Sequence, residues 1–203
     1  MTPRVEVAAS DAAAFHALNR DFGPAVDALV RFFHGPSSAL LCGAALVLFC
    51  VYRWRARALP VVLAAVVATV GTDLVGARIL KPTFARTRPC YALAPGTFRQ
   101  LVPTTNSGSI PSLHAANWFA AATPVAVAAP AAAPALFALA ALASLSRVVA
   151  GVHWPSDVLV GALLGVTMGL LSTLLLRALT AWWRGRRVRR ARATETESVR
   201  SSG

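Results

Sequence analysis

Three short polar clusters interrupt an otherwise apolar chain. The first is Lys81-Pro82-Thr83-Phe84-Ala85-Arg86-Thr87-Arg88-Pro89, and it opens on the only lysine of the sequence. The second is Pro111-Ser112-Leu113-His114; the third is Ser146-Arg147, followed by His153 and then Asp157. Three cations, two imidazoles and a carboxylate are what is needed to hold a phosphoryl group and transfer it. Arg88 and Arg147 can each grip phosphate oxygens bidentately, while Lys81 acts as a compact point charge. Asp157 follows His153 by one helical turn, so it can accept one ring N–H, fix the tautomer and leave the other nitrogen as a nucleophile. His114 is then free to protonate the departing oxygen. Each residue type also has a plainer use. Lys and Arg at the ends of membrane spans snorkel to the interface, and a lone histidine more often packs than reacts. The carboxylate beside His153 is what favours chemistry there, and His16 and His34, which have no such partner in sequence, read as surface residues.

Such clusters need a frame, and the composition says which kind. Of 203 residues 56% are hydrophobic and 14% charged, and the mean hydropathy is +0.59. Soluble chains carry about 25% charged residues. The apolar excess is gathered into long runs, which predicts one integral membrane domain. The net charge of +12 is concentrated in Arg184, Arg186, Arg187, Arg189, Arg190 and Arg192. A basic run can bind nucleic acid. Placed after a greasy segment, it reads instead as a cytoplasmic topology signal that touches anionic headgroups, with no nucleic-acid partner. From Thr194 onward the composition predicts a disordered tail. Cys42, Cys50 and Cys90 suggest neither a metal site nor a disulfide framework. The stretch Met1 to Ser10 lacks the basic start and apolar core of a cleavable signal.

The fold class this predicts is an all-α integral membrane bundle. Five runs approach the ~20 residues of a crossing: Ser37–Tyr52, extending back toward Phe33 or His34, then Leu59–Leu80, Pro111–Ala129, Ala132–Gly151 and Ser156–Leu176. Ahead of them, Phe15, Leu18, Phe22, Val26, Leu29, Val30 and Phe33 recur at helical spacing, interrupted by charges and broken at Gly23-Pro24. That pattern predicts an amphipathic helix at the membrane surface, with a sixth, poorly apolar span as the alternative. The domain plan is therefore an interfacial segment over residues 1–36, a transmembrane domain over 37–180 and a basic cytoplasmic tail over 181–203. Arg53, Arg55 and Arg57 between the first two spans, and the arginines after the fifth, share one side, which the positive-inside rule places in the cytoplasm. Trp54, Trp182 and Trp183 suit the inner aromatic belt and Trp154 the outer one. With five crossings, all three polar clusters gather at the opposite mouth. Pro111 suits the first turn of the third span with Ser109 as its cap, and Pro155 the first turn of the fifth, so two helix N-termini with open amides would face one pocket. Asp73, inside the second span, needs a partner within the bundle. Neither it nor Arg78 is assigned to the site.

These clusters resemble the signature of the type-2 phosphatidic acid phosphatase family, which also includes vanadium-dependent haloperoxidases. The signature is lysine, six residues, Arg-Pro; then Pro-Ser-Gly-His; then Ser-Arg, five residues, His, three residues, Asp. Lys81 and Arg88-Pro89 match the first part, Pro111, Ser112 and His114 the second, and Ser146-Arg147, His153 and Asp157 the third. Leu113 stands where the family has glycine, adding bulk and forbidding easy positive φ. The resemblance implies that His153 becomes phosphorylated, that Asp157 orients it, and that His114 is the general acid. It implies that Lys81, Arg88, Arg147 and Ser112, together with the Leu113 backbone amide, hold the phosphoryl oxygens, with neither metal nor cofactor. By that analogy the chain is expected to be a lipid phosphate or diphosphate phosphatase of a bacterial-type inner membrane, its site facing the exterior and its C-terminus the cytoplasm. Undecaprenyl diphosphate is the first expected substrate, with lipid A 1-phosphate, phosphatidylglycerophosphate and phosphatidate as alternatives. The membrane architecture disfavours a haloperoxidase. A transporter or binding protein for lipid phosphates would not need the His153–Asp157 pair.

Overall fold

A computed structural model describes residues 7–201, and among them no strand occurs. Two short helices come first: α1 (Ala9–Leu18) and α2 (Pro24–His34). They are parted by Gly23 at φ 88°, a left-handed value that glycine adopts without penalty. At 10 and 11 residues, each is about half the length of a crossing. The expected single amphipathic helix is thus two, and α1 does more than lie on a membrane surface. It packs on the bundle through Phe15, which is fully buried against Trp154 with ring centroids 5.1 Å apart.

The helices that correspond to the five expected spans are α3 (Pro36–Trp54), α4 (Leu59–Val75), α7 (Leu113–Ala128), α8 (Ala133–Val149) and α9 (Pro155–Ser201). Two single-turn helices, α5 (Lys81–Phe84) and α6 (Pro89–Ala92), precede the loop that leads to α7. Among the described residues three helical stretches are long and apolar enough to cross a membrane by themselves: Pro36–Ala92, which contains both α3 and α4, Pro130–Val149 and Pro155–Arg187. The chain is a membrane protein built as a helical bundle. Gly35 separates α2 from α3, so the first span does not reach back to Phe33 or His34 as expected.

The shortest span is the central one. α7 has 16 residues and packs against α4, α8 and α9. Its approach to α9 is permitted by Gly161, Gly165 and Gly169, which recur every four residues on one face. A methyl group on Gly161 would meet the Ser112 carbonyl oxygen, and one on Gly165 the Ala116 carbonyl oxygen. Small residues at such spacing let two backbones pack closely in a membrane, and filling the seam would cost about 1–3 kcal/mol.

Two features of α4 and α9 bear on the site. α4 passes into a π-helical turn, Gly76–Leu80, before Lys81. The wider turn shifts the face on which Lys81 emerges. α9 runs for 47 residues, about 70 Å at 1.5 Å per residue, far longer than a bilayer core. Its backbone is helical through Ser201, where a disordered tail was expected from Thr194; a helix already nucleated in the bundle needs no new nucleus to extend. Arg186 lies 4.1 Å over the Trp182 ring on this extension.

Candidate active site

The three polar clusters converge at the N-terminal end of α7. A cavity of about 950 Å³ is lined there by Lys81, Arg88, Leu113, His114, Arg147 and His153, among others. Ser112 and Asp157 stand directly behind it, each 0% exposed. The opposite end of α7 meets the reversal between α3 and α4, where Cys50, Ala58 and Val125 form a separate apolar cluster.

His153 sits in the turn between α8 and α9 and is 3% exposed. Arg88 Nη1 donates to its Nε2 at 2.8 Å. An arginine can only donate, so Nε2 is an acceptor and the proton belongs on Nδ1. Nδ1 faces Asp157 Oδ2 at 3.4 Å. The lone pair of the neutral ring is therefore on Nε2, where it accepts from Arg88. Burial pushes the His153 pKa down to about 4, with the Arg88 charge adding to that and Asp157 opposing it.

Asp157 is fixed by the start of its own helix. Pro155 is the first residue of α9, as expected. From the third position Asp157 reaches back and accepts the Trp154 backbone N–H at 2.8 Å, the carboxylate half of a capping box. The Ser109 hydroxyl donates to the same oxygen, and Arg86 Nη1 donates to the other at 2.7 Å. Ser109 therefore serves Asp157 and does not cap α7 as expected.

The start of α7 also differs from expectation. Ser112, not Ser109, is the residue ahead of the helix, and Pro111 lies outside it. A tertiary bond decides this: the Ser112 amide donates to the Asp157 carbonyl at 2.9 Å, which holds Ser112 extended. At α9 the amide of Ser156 is likewise spent, on Asp11. Only the α7 terminus thus keeps open donors toward the cavity. Among the described residues the amides of Leu113 and His114 make no hydrogen bond, and the buried Ser112 Oγ and Arg147 Nε have no partner. Buried donors are normally satisfied, and a helix N-terminus favours an anion. An oxyanion seated at this terminus would meet the open amides. Leu113 is the first residue of α7, so its amide points as a helical amide does, and its side chain packs on Gly76.

The cations ring this terminus. Arg88 is aimed by its Nε and Nη2 bonds to Ser107 at 3.1 and 3.2 Å and by Nη1 on the Val152 carbonyl at 3.0 Å. Lys81 Nζ donates to the Gly108 carbonyl at 2.5 Å. Arg147 Nη1 donates to His34 Nδ1 at 2.9 Å. His34 is thus no surface bystander: α2 ends beside Arg147, and burial followed by the Arg147 charge lowers the imidazole pKa. His114 accepts at Nε2 from the Trp118 indole N–H at 3.1 Å, which leaves Nδ1 as the protonated nitrogen of the neutral ring.

Some polar residues take roles that sequence reasoning missed or misplaced. Arg86 is 4% exposed and bridges Asp157 to Asp11. Trp154 was expected at the outer belt, yet it is 1% exposed, packed against Phe15 at a tilt of 58° and donating to the Thr87 carbonyl at 2.9 Å. The available signal was a second arginine two residues before Arg88 in a charge-poor chain. Asp73 accepts from Asn117 at 3.0 Å, the expected partner on a neighbouring helix, but it lies exposed on the side of the bundle and not turned into its interior.

Known proteins show the same arrangement of helices. The crystal structure of Aquifex aeolicus LpxE aligns with a TM-score of 0.64 and 29% identity, covering 84% of this chain and 98% of that one. The first transmembrane PAP2 type phosphatidylglycerolphosphate phosphatase from Bacillus subtilis aligns with a TM-score of 0.57 and 22% identity, covering 85% of each chain; this is a likeness of fold. No curated protein sequence matches the chain. The family model described as PAP2 superfamily matches residues 61–181, more than half the chain and all three polar clusters. A bundle of this fold that carries these clusters at one mouth is a membrane lipid phosphatase, a phosphoric ester hydrolase, and the chain belongs to the PAP2 superfamily, the type-2 phosphatidic acid phosphatases.

Proposed function

We propose that the enzyme removes phosphate from a polyprenyl diphosphate, with undecaprenyl diphosphate the first choice, by a metal-independent route through phosphohistidine at the non-cytoplasmic face of a bacterial-type inner membrane. The observation that supports this reading is that His153 Nε2, the unprotonated nitrogen, meets Arg88 at the wall of a cavity ringed by Lys81, Arg88 and Arg147. Arg88 Nη1 passes from Nε2 to a phosphoryl oxygen, which frees the lone pair; Nε2 attacks the terminal phosphorus and the bond to the leaving oxygen breaks. His114 gives that oxygen a proton. Asp157 stabilises the positive charge that develops on the His153 ring. Water then attacks the phosphohistidine, His114 takes a proton from it, the P–N bond breaks and inorganic phosphate leaves. Lys81, Arg88, Arg147, Ser112 and the Leu113 amide hold the three peripheral oxygens throughout. Phosphoryl transfer is mostly positioning and charge stabilisation, and three cations supply the charge that metal ions supply elsewhere.

The outward orientation is supported by Arg53, Arg55 and Arg57, which lie at the end of the bundle away from the cavity. Lipid A 1-phosphate and phosphatidylglycerophosphate, the second of which gives the Bacillus subtilis relative its name, are the alternative substrates, with phosphatidate beside them. The test is phosphate release from this panel by purified protein in detergent with excess chelator. Release from the polyprenyl diphosphate above the others supports the reading. Turnover that stops in chelator and returns with a divalent ion overturns the mechanism, and preference for another lipid reassigns the substrate.

A further inference from the structure

We infer that Asp11, on the N-terminal helix, is a positioning residue for the nucleophile: through Arg86 and Ser156 it sets where the Asp157 carboxylate lies and how much negative charge it presents to His153. This rests on the reading of His153 as the attacking group. Asp11 precedes the residues matched by the family model, 61–181, so nothing in that match assigns it a role.

The geometry is a closed set of bonds. Arg86 Nη2 donates to Asp11 Oδ2 at 2.5 Å, while its Nη1 donates to Asp157 Oδ1 at 2.7 Å and to Ser156 Oγ at 2.6 Å. Asp11 in turn accepts the Ser156 amide at 2.9 Å and the Ser156 hydroxyl at 2.6 Å. It thereby caps α9 from another helix, one residue before the carboxylate that faces His153. Ala85 delivers Arg86 inward from φ 44°, a left-handed backbone that alanine adopts only under constraint. Phe15 on Trp154 clamps α1 in place.

The charge count explains the need for two carboxylates. A guanidinium paired with Asp157 alone would neutralise it. Shared with Asp11, it leaves the set of Asp11, Arg86 and Asp157 one net negative charge, available to an imidazolium at His153. The other charged and titratable groups toward His153 are Arg88, Lys81, Arg147 and His114, and of these the three basic side chains oppose that imidazolium. Neutralising Asp11 should therefore disfavour protonation of His153, and neutralising Arg86 should favour it. A merely structural brace would not move the two in opposite directions.

The experiment uses the full chain in detergent as wild type, Asp11→Asn, Asp11→Glu, Arg86→Gln and the Asp11→Asn/Arg86→Gln double variant. Two readouts are taken: kcat and KM on the preferred lipid phosphate across pH, and direct titration of the ¹⁵N-labelled His153 ring by NMR. Asp11→Asn is expected to lower kcat about tenfold, the scale on which supporting partners act, with KM within about twofold. It should move the His153 titration to lower pH. Asp11→Glu should restore most of the rate. Arg86→Gln should move the titration to higher pH, and the double variant, whose set again carries one net negative charge, should bring the midpoint back toward wild type. Shifts of the same sign, no shift, or an effect on KM alone would overturn the inference, as would an Asp11→Asn protein that loses its helical circular dichroism. Should wild type release no phosphate from any lipid, the phosphatase reading fails, and the NMR titration still decides whether Asp11 and His153 are coupled.

Discussion

The two histidines of the cavity live in different surroundings. His153 is gripped from both sides, by Arg88 at Nε2 and Asp157 at Nδ1. Behind Asp157 stand Arg86, Ser109 and the Trp154 amide. His114 projects from the open end of α7, and among the described residues its hydrogen-bond partner is the Trp118 indole. The difference follows from the work proposed for each. A nucleophile has to present one lone pair in one direction, so a rigid, charged support helps it. A group that gives and takes protons in each turnover has to exchange them with substrate and water, and a second fixed carboxylate would hinder that.

That contrast can be broken from either side. On the gripped side, His153→Ala should abolish turnover, by about 10⁴-fold or more, measured as phosphate release. Asp157→Asn should cost about 10³–10⁴-fold in kcat by losing the favoured tautomer and the negative charge; a loss below tenfold would mean the support is dispensable. On the open side, His114→Ala should cost about 10²–10⁴-fold on the lipid substrate. It should cost far less on an aryl phosphate whose leaving group needs no proton. Equal losses on both substrates would remove His114 from the role of acid. The pH dependence sharpens the contrast further. His153 must be neutral to attack, and burial lowers its pKa to about 4. The acid limb of kcat/KM should accordingly fall as pH drops through about 4, and a limb near 6.5 would show a ring that is not desolvated. The smallest effect is expected from Trp118→Phe, which removes one hydrogen bond to His114 and should change kcat by about fivefold, the worth of ~1 kcal/mol.

The site's membership was legible because its residue types are rare in so apolar a chain. Lys81, Arg88, His114, Arg147, His153 and Asp157 could be chosen from residue type and spacing, Ser112 came from the family resemblance, and alternating spans send them to one end. What lay beyond reach were the bonds between elements far apart in sequence. Nothing near Ser112 signals that its amide pairs with the Asp157 carbonyl, so the start of α7 was placed too early. Asp11 reads locally as a charge that breaks an apolar face. Its meaning depends on Arg86, 75 residues away. Trp154 and His34 were read as an interfacial and a surface residue for the same reason, because burial by α1 in one case and the end of α2 beside Arg147 in the other are tertiary facts.

The central claim is that a covalent bond forms between phosphorus and His153 Nε2 without a metal. The most direct measurement is to quench the purified enzyme during turnover of a ³²P-labelled lipid phosphate in chelator and locate the label by peptide mass spectrometry. Acid-labile, base-stable label on the peptide containing His153, absent in His153→Ala and accumulating in His114→Ala with an activated substrate, is the predicted result. Turnover in chelator with no label on that peptide under any quench, or label on another residue, would contradict the account.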